Sequence, residues 1–174
     1  LPALGRRVQP RLEPFCASGV RLGRALQLTN VLRDVPRDLR HGRCYLPKRD
    51  LAQLGLTPQD LLEASAWERA RPLYEDLVAQ AVGDARAGLE HVLAVPASFR
   101  FLRLAELLPL LLALRTLGLS FAENPLAEGS RRKVPRREVY GLLLKGALKA
   151  GDDASLQRWC RAEARRAGLA RYWA

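Results

Sequence analysis

The chain of 174 residues has no methionine, three cysteines and few aromatic side chains, and each scarcity excludes something. Cys16, Cys44 and Cys160 are odd in number and widely spaced. They form neither a disulfide framework nor a metal-type cysteine pair, so a reducing, cytoplasmic setting is expected. Aromatics make up 6% of the chain and β-branched residues are sparse, so the material for half-buried strands is missing. Leu, Ala and Arg dominate, which predicts an all-α protein. No unbroken apolar run reaches the ~18 residues of a spanning helix, because Glu106, Pro109 and Arg115 interrupt Leu104 to Leu119. Leu1 to Pro14 lack the layout of a signal peptide. Without an initiating methionine, the sequence is expected to be processed, trimmed or part of something longer.

Acidic side chains are also in the minority: 18 Asp and Glu face 29 Lys and Arg, a formal charge of +11. Such an excess implies an anionic partner, whether nucleic acid, an acidic membrane surface or a phosphorylated ligand. No aromatic-interleaved basic patch or nucleic-acid motif accompanies it, so nucleic acid ranks last. His41 and His91 stand isolated and are expected at the surface. Ser18, Ser98 and Cys160 have no base nearby in sequence, which argues against a nucleophilic hydrolase.

Local punctuation divides the chain into helices. The first is predicted from about Leu12 to the Asp34–Asp38 region, bent or ended near Pro36. Residues 39–57 read as a connector. Thr57-Pro58-Gln59-Asp60 has the cap, the proline and the acid of a helix start, so a long helix is expected from Pro58 to about Val92. The next, about Ser98 to Ala122, is apolar on nearly every side and is expected to be buried. A loop opens at Asn124-Pro125. Pro135 and Glu138 begin a helix ending near Lys149-Ala150-Gly151, and a last amphipathic helix covers about Ala154 to Tyr172. Trp67, Trp159 and Trp173 read as packing residues, and Arg161, Arg165, Arg166 and Arg171 as a solvated face.

One stretch departs from ordinary helix patterning. In Gln27-Leu28-Thr29-Asn30-Val31-Leu32-Arg33-Asp34-Val35-Pro36-Arg37-Asp38, the residues Gln27, Asn30, Asp34 and Asp38 fall on one narrow helical stripe. Leu26, Leu28, Val31 and Leu32 around them are apolar and favour burial. Two carboxylates and two amides are costly to bury unless something binds them. Oxygen ligands one turn apart suit Mg²⁺, which takes one or two carboxylates and completes its shell with water and phosphate. The stripe therefore reads as a magnesium–diphosphate site.

Leu22-Gly23-Arg24-Ala25-Leu26-Gln27-Leu28-Thr29-Asn30-Val31-Leu32-Arg33-Asp34, with Asp38 and Gly42-Arg43-Cys44-Tyr45-Leu46-Pro47, resembles the second aspartate-rich motif of the squalene/phytoene synthase family. The later segments Leu108-Pro109, Thr116-Leu117, Asn124-Pro125 and Arg132-Lys133-Val134-Pro135-Arg136 lean to the squalene-synthase branch. The resemblance implies an all-α isoprenoid (terpenoid) synthase fold, with residues 1–174 as the C-terminal part of one such domain, incomplete at its N-terminus. It implies head-to-head condensation of two prenyl diphosphates through a cyclopropylcarbinyl diphosphate to squalene or phytoene, on the isoprenoid and carotenoid routes.

On that resemblance, Asp34 and Asp38 ligate Mg²⁺ with help from Asn30, and Gln27 and Asn30 complete a polar floor for substrate. Arg33, Arg43 and Tyr45 contact phosphate oxygens or stabilise the leaving group. Lys133 falls in the region that handles NADPH in squalene-type members, within the basic run Arg131-Arg132-Lys133…Arg136-Arg137. Greasy substrate and product tails imply a peripheral, charge-assisted membrane contact.

Two departures stand out. Arg37, preceded by Pro36, occupies a place where the family usually has an acid. The family's earlier aspartate-rich motif has no counterpart, since Glu13 is the only acid before Gln27. The expectation is that this part does not turn over alone and needs a missing N-terminal half. The competing expectation is a non-catalytic relative that binds lipid or serves assembly.

Overall fold

The computed structural model describes residues 12–127 and 133–173, which are helical with no strand among them. We number the α-helices α1 (Leu12–Arg40), α2 (Lys48–Gln53), α3 (Trp67–Ala94), α4 (Arg100–Phe121), α5 (Arg136–Lys149) and α6 (Asp153–Arg166). Short 3₁₀ turns occupy Gln59–Leu62, Ala64–Ala66 and Ala170–Tyr172.

α1 and α3 share the most extensive contact, α4 packs against both, and α5 and α6 pack on α4. α1 buries Leu22, Ala25, Thr29, Leu32 and Val35 along one face. α3 answers with Ala70, Tyr74, Val78, Ala81, Ala85 and Leu89. The helices meet most closely at Gly88, where a Cβ would lie 2.8 Å from the Leu22 Cβ. Next to this crossing the Asp84 carboxylate of α3 is buried. Arg21 and Arg24 of α1 both pair with it, Arg24 at 3.4 Å, so the helices are joined by charge as well as by apolar contact.

α4 is held by two arginines. Arg103 is 2% exposed. Its guanidinium donates to the carbonyls of Leu93 (3.0 Å), Val95 (2.7 Å) and Ala150 (3.2 Å) and to the Asp153 carboxylate (2.6 Å). Arg115 donates to Glu138 of α5 and Glu163 of α6, each at 2.5 Å. Glu163 also accepts from the Trp159 indole at 3.1 Å.

Several expectations need correction. The helix predicted from Pro58 begins only at Trp67, because Glu63 adopts an extended conformation. Thr57 does not cap it: its N–H and hydroxyl both donate to the Asp60 carboxylate, and the single 3₁₀ turn that follows has no side-chain cap. α2 lies inside the expected connector. The last helix stops at Arg166, where Gly168 takes a positive φ of 73° and turns the chain. The end of α1 is as expected, since the helix runs through Pro36 and stops just beyond it at Arg40. α4 is not buried all round: Phe101 is 89% exposed, and Leu108, Pro109 and Leu112 form a half-covered flank. By length and composition α4 is also long and apolar enough to cross a bilayer, since its few polar residues leave the hydropathy high; here it packs within the bundle. His91 is half-buried, its Nδ1 3.0 Å from the Phe15 carbonyl.

Replacing Arg103 by methionine keeps much of its volume but leaves three interior carbonyls without their donor. A loss of about 3 kcal/mol is expected from an interrupted buried charge network, measurable as a lower urea midpoint with unchanged slope.

Candidate active site

The polar stripe does not lie in the interior. Thr29, Leu32 and Val35 take the face of α1 that α3 and α4 cover, which leaves the stripe along the border of that face, with the Asp34 side chain only 12% exposed. Gln27 and Asn30 are exposed, and Asp34 and Asp38 are half-buried. The apolar neighbours Leu26, Leu28 and Val31 are half-buried against the core, so burial stops at the edge of the stripe.

Asp34 is paired with its sequence neighbour. Arg33 Nη2 lies 2.6 Å from Asp34 Oδ2 and Nε 3.2 Å from Oδ1, a two-point fork. The hydrogen bond to Asp34 holds the Arg33 guanidinium above its ordinary pKa, helped by the charges of Asp34 and Asp38 and opposed by partial burial.

Asp38 belongs to the turn that ends α1. The Gly42 N–H donates to the Leu39 carbonyl (2.9 Å) and the Arg43 N–H to the Asp38 carbonyl (2.8 Å). That pair of bonds is a Schellman motif, with Gly42 at φ +73° in the left-handed position that favours glycine. The reversal brings Arg43 and Tyr45 back to Asp38, and all three line one small recess with Val35, Cys44 and Leu46. The motif's second block, Gly42 to Pro47, is thus joined to its first by a glycine-dependent helix end.

On the other flank of the stripe, between α1 and α4, lies an open crevice of about 240 Å³. Leu26, Pro109, Leu112 and Ala113 supply its apolar walls, Thr29 and Thr116 its hydroxyls, and Asn30 and Arg33 stand in its lining. The Thr29 hydroxyl is already spent on the Ala25 carbonyl at 2.7 Å. Pro109, a break in an apolar run when read by sequence, here sits inside α4 and faces α1.

Lys133 is exposed and lines neither the crevice nor the recess. Arg131 and Arg132, its neighbours in the basic run, lie outside the described residues. Among the described residues no three His, Cys, Asp or Glu side chains cluster as metal ligands. The donor set is the Asp34–Asp38 pair with the Asn30 amide. This fits Mg²⁺, which is commonly held by one or two carboxylates together with water and phosphate oxygens. Cys160 is no nucleophile, because burial, and secondarily Glu163, push its thiol up to about 12. The buried charges Asp84, Arg103, Arg115 and Glu163 were missed by sequence reasoning. The signal available was an ionic residue inside an otherwise apolar helix.

An all-α bundle that sets an oxygen-rich stripe beside an apolar crevice has the architecture of the isoprenoid-synthase class. The chain belongs to the squalene/phytoene synthase family, whose model matches residues 2–138. Over 72 residues it is 46% identical to the presqualene diphosphate synthase of Zymomonas mobilis, a stretch covering 41% of this chain and 24% of that protein. It is 40% identical over 73 residues to phytoene synthase 1 of Zea mays, covering 41% and 18% respectively. With the phytoene synthase of Arthrospira platensis it shares 54% identity over 54 residues, 31% of this chain and 18% of that one. The matched part therefore spans about a quarter or less of these relatives' length. No solved structure matches significantly.

Gly42→Ala meets no steric obstacle at Cβ, but it must hold a left-handed backbone. A cost of about 1 kcal/mol is expected from that conformation, with Gly42→Asn milder. Thermal unfolding followed by circular dichroism reads the difference between the two.

Proposed function

We propose that this chain supplies one metal-and-diphosphate half-site of a prenyltransferase that joins two prenyl diphosphates, farnesyl or geranylgeranyl, head to head. The observation that carries this reading is a juxtaposition on α1. Exposed amides and partly buried carboxylates share one border of the helix, and immediately beside them Leu26, Pro109, Leu112 and Ala113 wall an apolar crevice. A substrate with a charged head and a hydrocarbon tail needs those two surfaces side by side.

Asp34, Asp38 and Asn30 would hold Mg²⁺, which when bound supplies Lewis-acid stabilisation of phosphate oxygens. Arg43 and Tyr45, held beside Asp38 by the Gly42 turn, donate to the diphosphate from the recess side. Arg33 donates from the crevice side once Asp34 is engaged elsewhere. Charge that develops on departing oxygens is then met by donors already aimed at it. Gln27 extends the polar floor. Leu112 and Pro109 exclude water from the hydrocarbon side, where a carbocation must be protected. Condensation through a cyclopropylcarbinyl diphosphate is redox-neutral, so Lys133 and NADPH enter only if the product is squalene. We assign no turnover to this part alone, for want of a second aspartate-rich motif. A charge-assisted contact with the inner face of the membrane suits both the net charge of +11 and the greasy substrates.

One observation favours the non-catalytic alternative: Asp34 already has a guanidinium on it. A metal site must displace that fork, whereas a lipid-binding relative need not.

Calorimetric titration with a non-ionisable farnesyl diphosphate analogue, with and without Mg²⁺, separates the readings. Magnesium-dependent binding that falls at least about tenfold in Asp34→Ala is expected for the loss of one carboxylate ligand. Binding indifferent to both Mg²⁺ and Asp34 overturns the condensation reading.

A further inference from the structure

A second concavity lies on the opposite flank of α1, away from the crevice. It is a groove of about 840 Å³ where α1, α3 and α6 meet the C-terminal 3₁₀ turn. Its walls carry Arg21, Arg86, Arg161 and Arg165 against a single acid, Glu90. The apolar floor includes Leu89 and the largely buried Trp173.

What marks this groove is convergence of cations: unpaired arginines also occur singly on the exposed surface, as at Arg37 and Arg40, but here several line one depression. Arg33, Arg71, Arg103, Arg115, Arg158 and Arg171 each have a carboxylate within ion-pair distance. Arg21 is committed to Asp84. Arg86, Arg161 and Arg165 have no such partner among the described residues, and Glu90, one turn from Arg86, forms no ion pair with it. Arg161 and Arg165 are one turn apart on α6, a spacing at which like charges repel. Gln157 extends the same row by a further turn. Two helix faces thus direct three uncompensated guanidinium groups into one depression.

We infer that this groove is an anion site for a ligand bearing two or more phosphate charges. Guanidinium forks match phosphate oxygens two at a time. The volume is that of a small-molecule site, and a basic face for a nucleic-acid duplex would be broader and flatter. The inference does not depend on the role of Asp34 and Asp38, since none of those residues lines the groove. The same chemistry is offered by free diphosphate and by the phosphomonoester headgroup of phosphatidic acid.

The experiment compares the unaltered chain with two charge-matched variants, Arg161→Gln/Arg165→Gln and Arg136→Gln/Arg137→Gln. The second pair is exposed on α5, outside the groove. Each protein is titrated with inorganic diphosphate in EDTA, so that no metal-dependent site contributes, and sedimented with vesicles containing phosphatidic acid. Circular dichroism confirms that each is folded. Saturable binding in either assay that weakens at least about tenfold in the first variant and less than twofold in the second is expected for two lost charge-assisted contacts. Binding in the diphosphate arm identifies a free anion as the source, and binding in the vesicle arm alone identifies a headgroup. Equal weakening in both variants, or no saturable binding in either arm, overturns the proposal.

Discussion

Arg103 stands where four pieces of backbone converge: the end of α3, the turn after it, the end of α5 and the start of α6. Helix ends leave carbonyls without intrahelical partners. One planar guanidinium satisfies three of these and a carboxylate at once. A fully buried arginine is stable only when its donors are used in this way. Arg115 repeats the device farther along α4, reaching Glu138 and Glu163. Together they fix α5 and α6 against an otherwise apolar helix, and so fix the orientation of the flank that Leu108, Pro109 and Leu112 leave open.

That open flank and the stripe on α1 depend on each other. α1 has two useful faces only because its third is wholly committed to α3, with Gly88 letting Leu22 approach the backbone. Asp84, with two arginines on it, prevents α1 from rotating about its own axis to bury the stripe. The same rotation would empty the crevice. The polar and apolar halves of the site therefore share one structural cause.

The helical class and the length of α1 were legible from residue pattern, because composition and periodicity are local; the association of Asp38 with Arg43 and Tyr45 came from the family resemblance. The four stripe residues do share one continuous helix, but how far each is buried was not legible: Gln27 and Asn30 are exposed while Asp34 and Asp38 are partly buried. Apolar neighbours on α1 belong to a face that other helices cover, and only the packing of α3 and α4 decides which face that is. The delayed start of α3 was illegible for a related reason: Thr57 and Asp60 bond to each other over a single 3₁₀ turn, and Glu63 then goes extended. Arg115 read as an interruption of a greasy helix and Arg103 was not singled out, because their carboxylate partners lie between 23 and 50 residues away.

Pro36 lies between the two carboxylates in sequence, inside a continuous helix. A proline nitrogen cannot donate, so the Leu32 carbonyl loses its rung of the helical ladder. Bending resistance along α1 is therefore lowest between the turn that carries Asp34 and the turn that carries Asp38. The separation of these two carboxylates is thus the softest dimension of α1, set by the one missing rung rather than by the packing of the helix on α3.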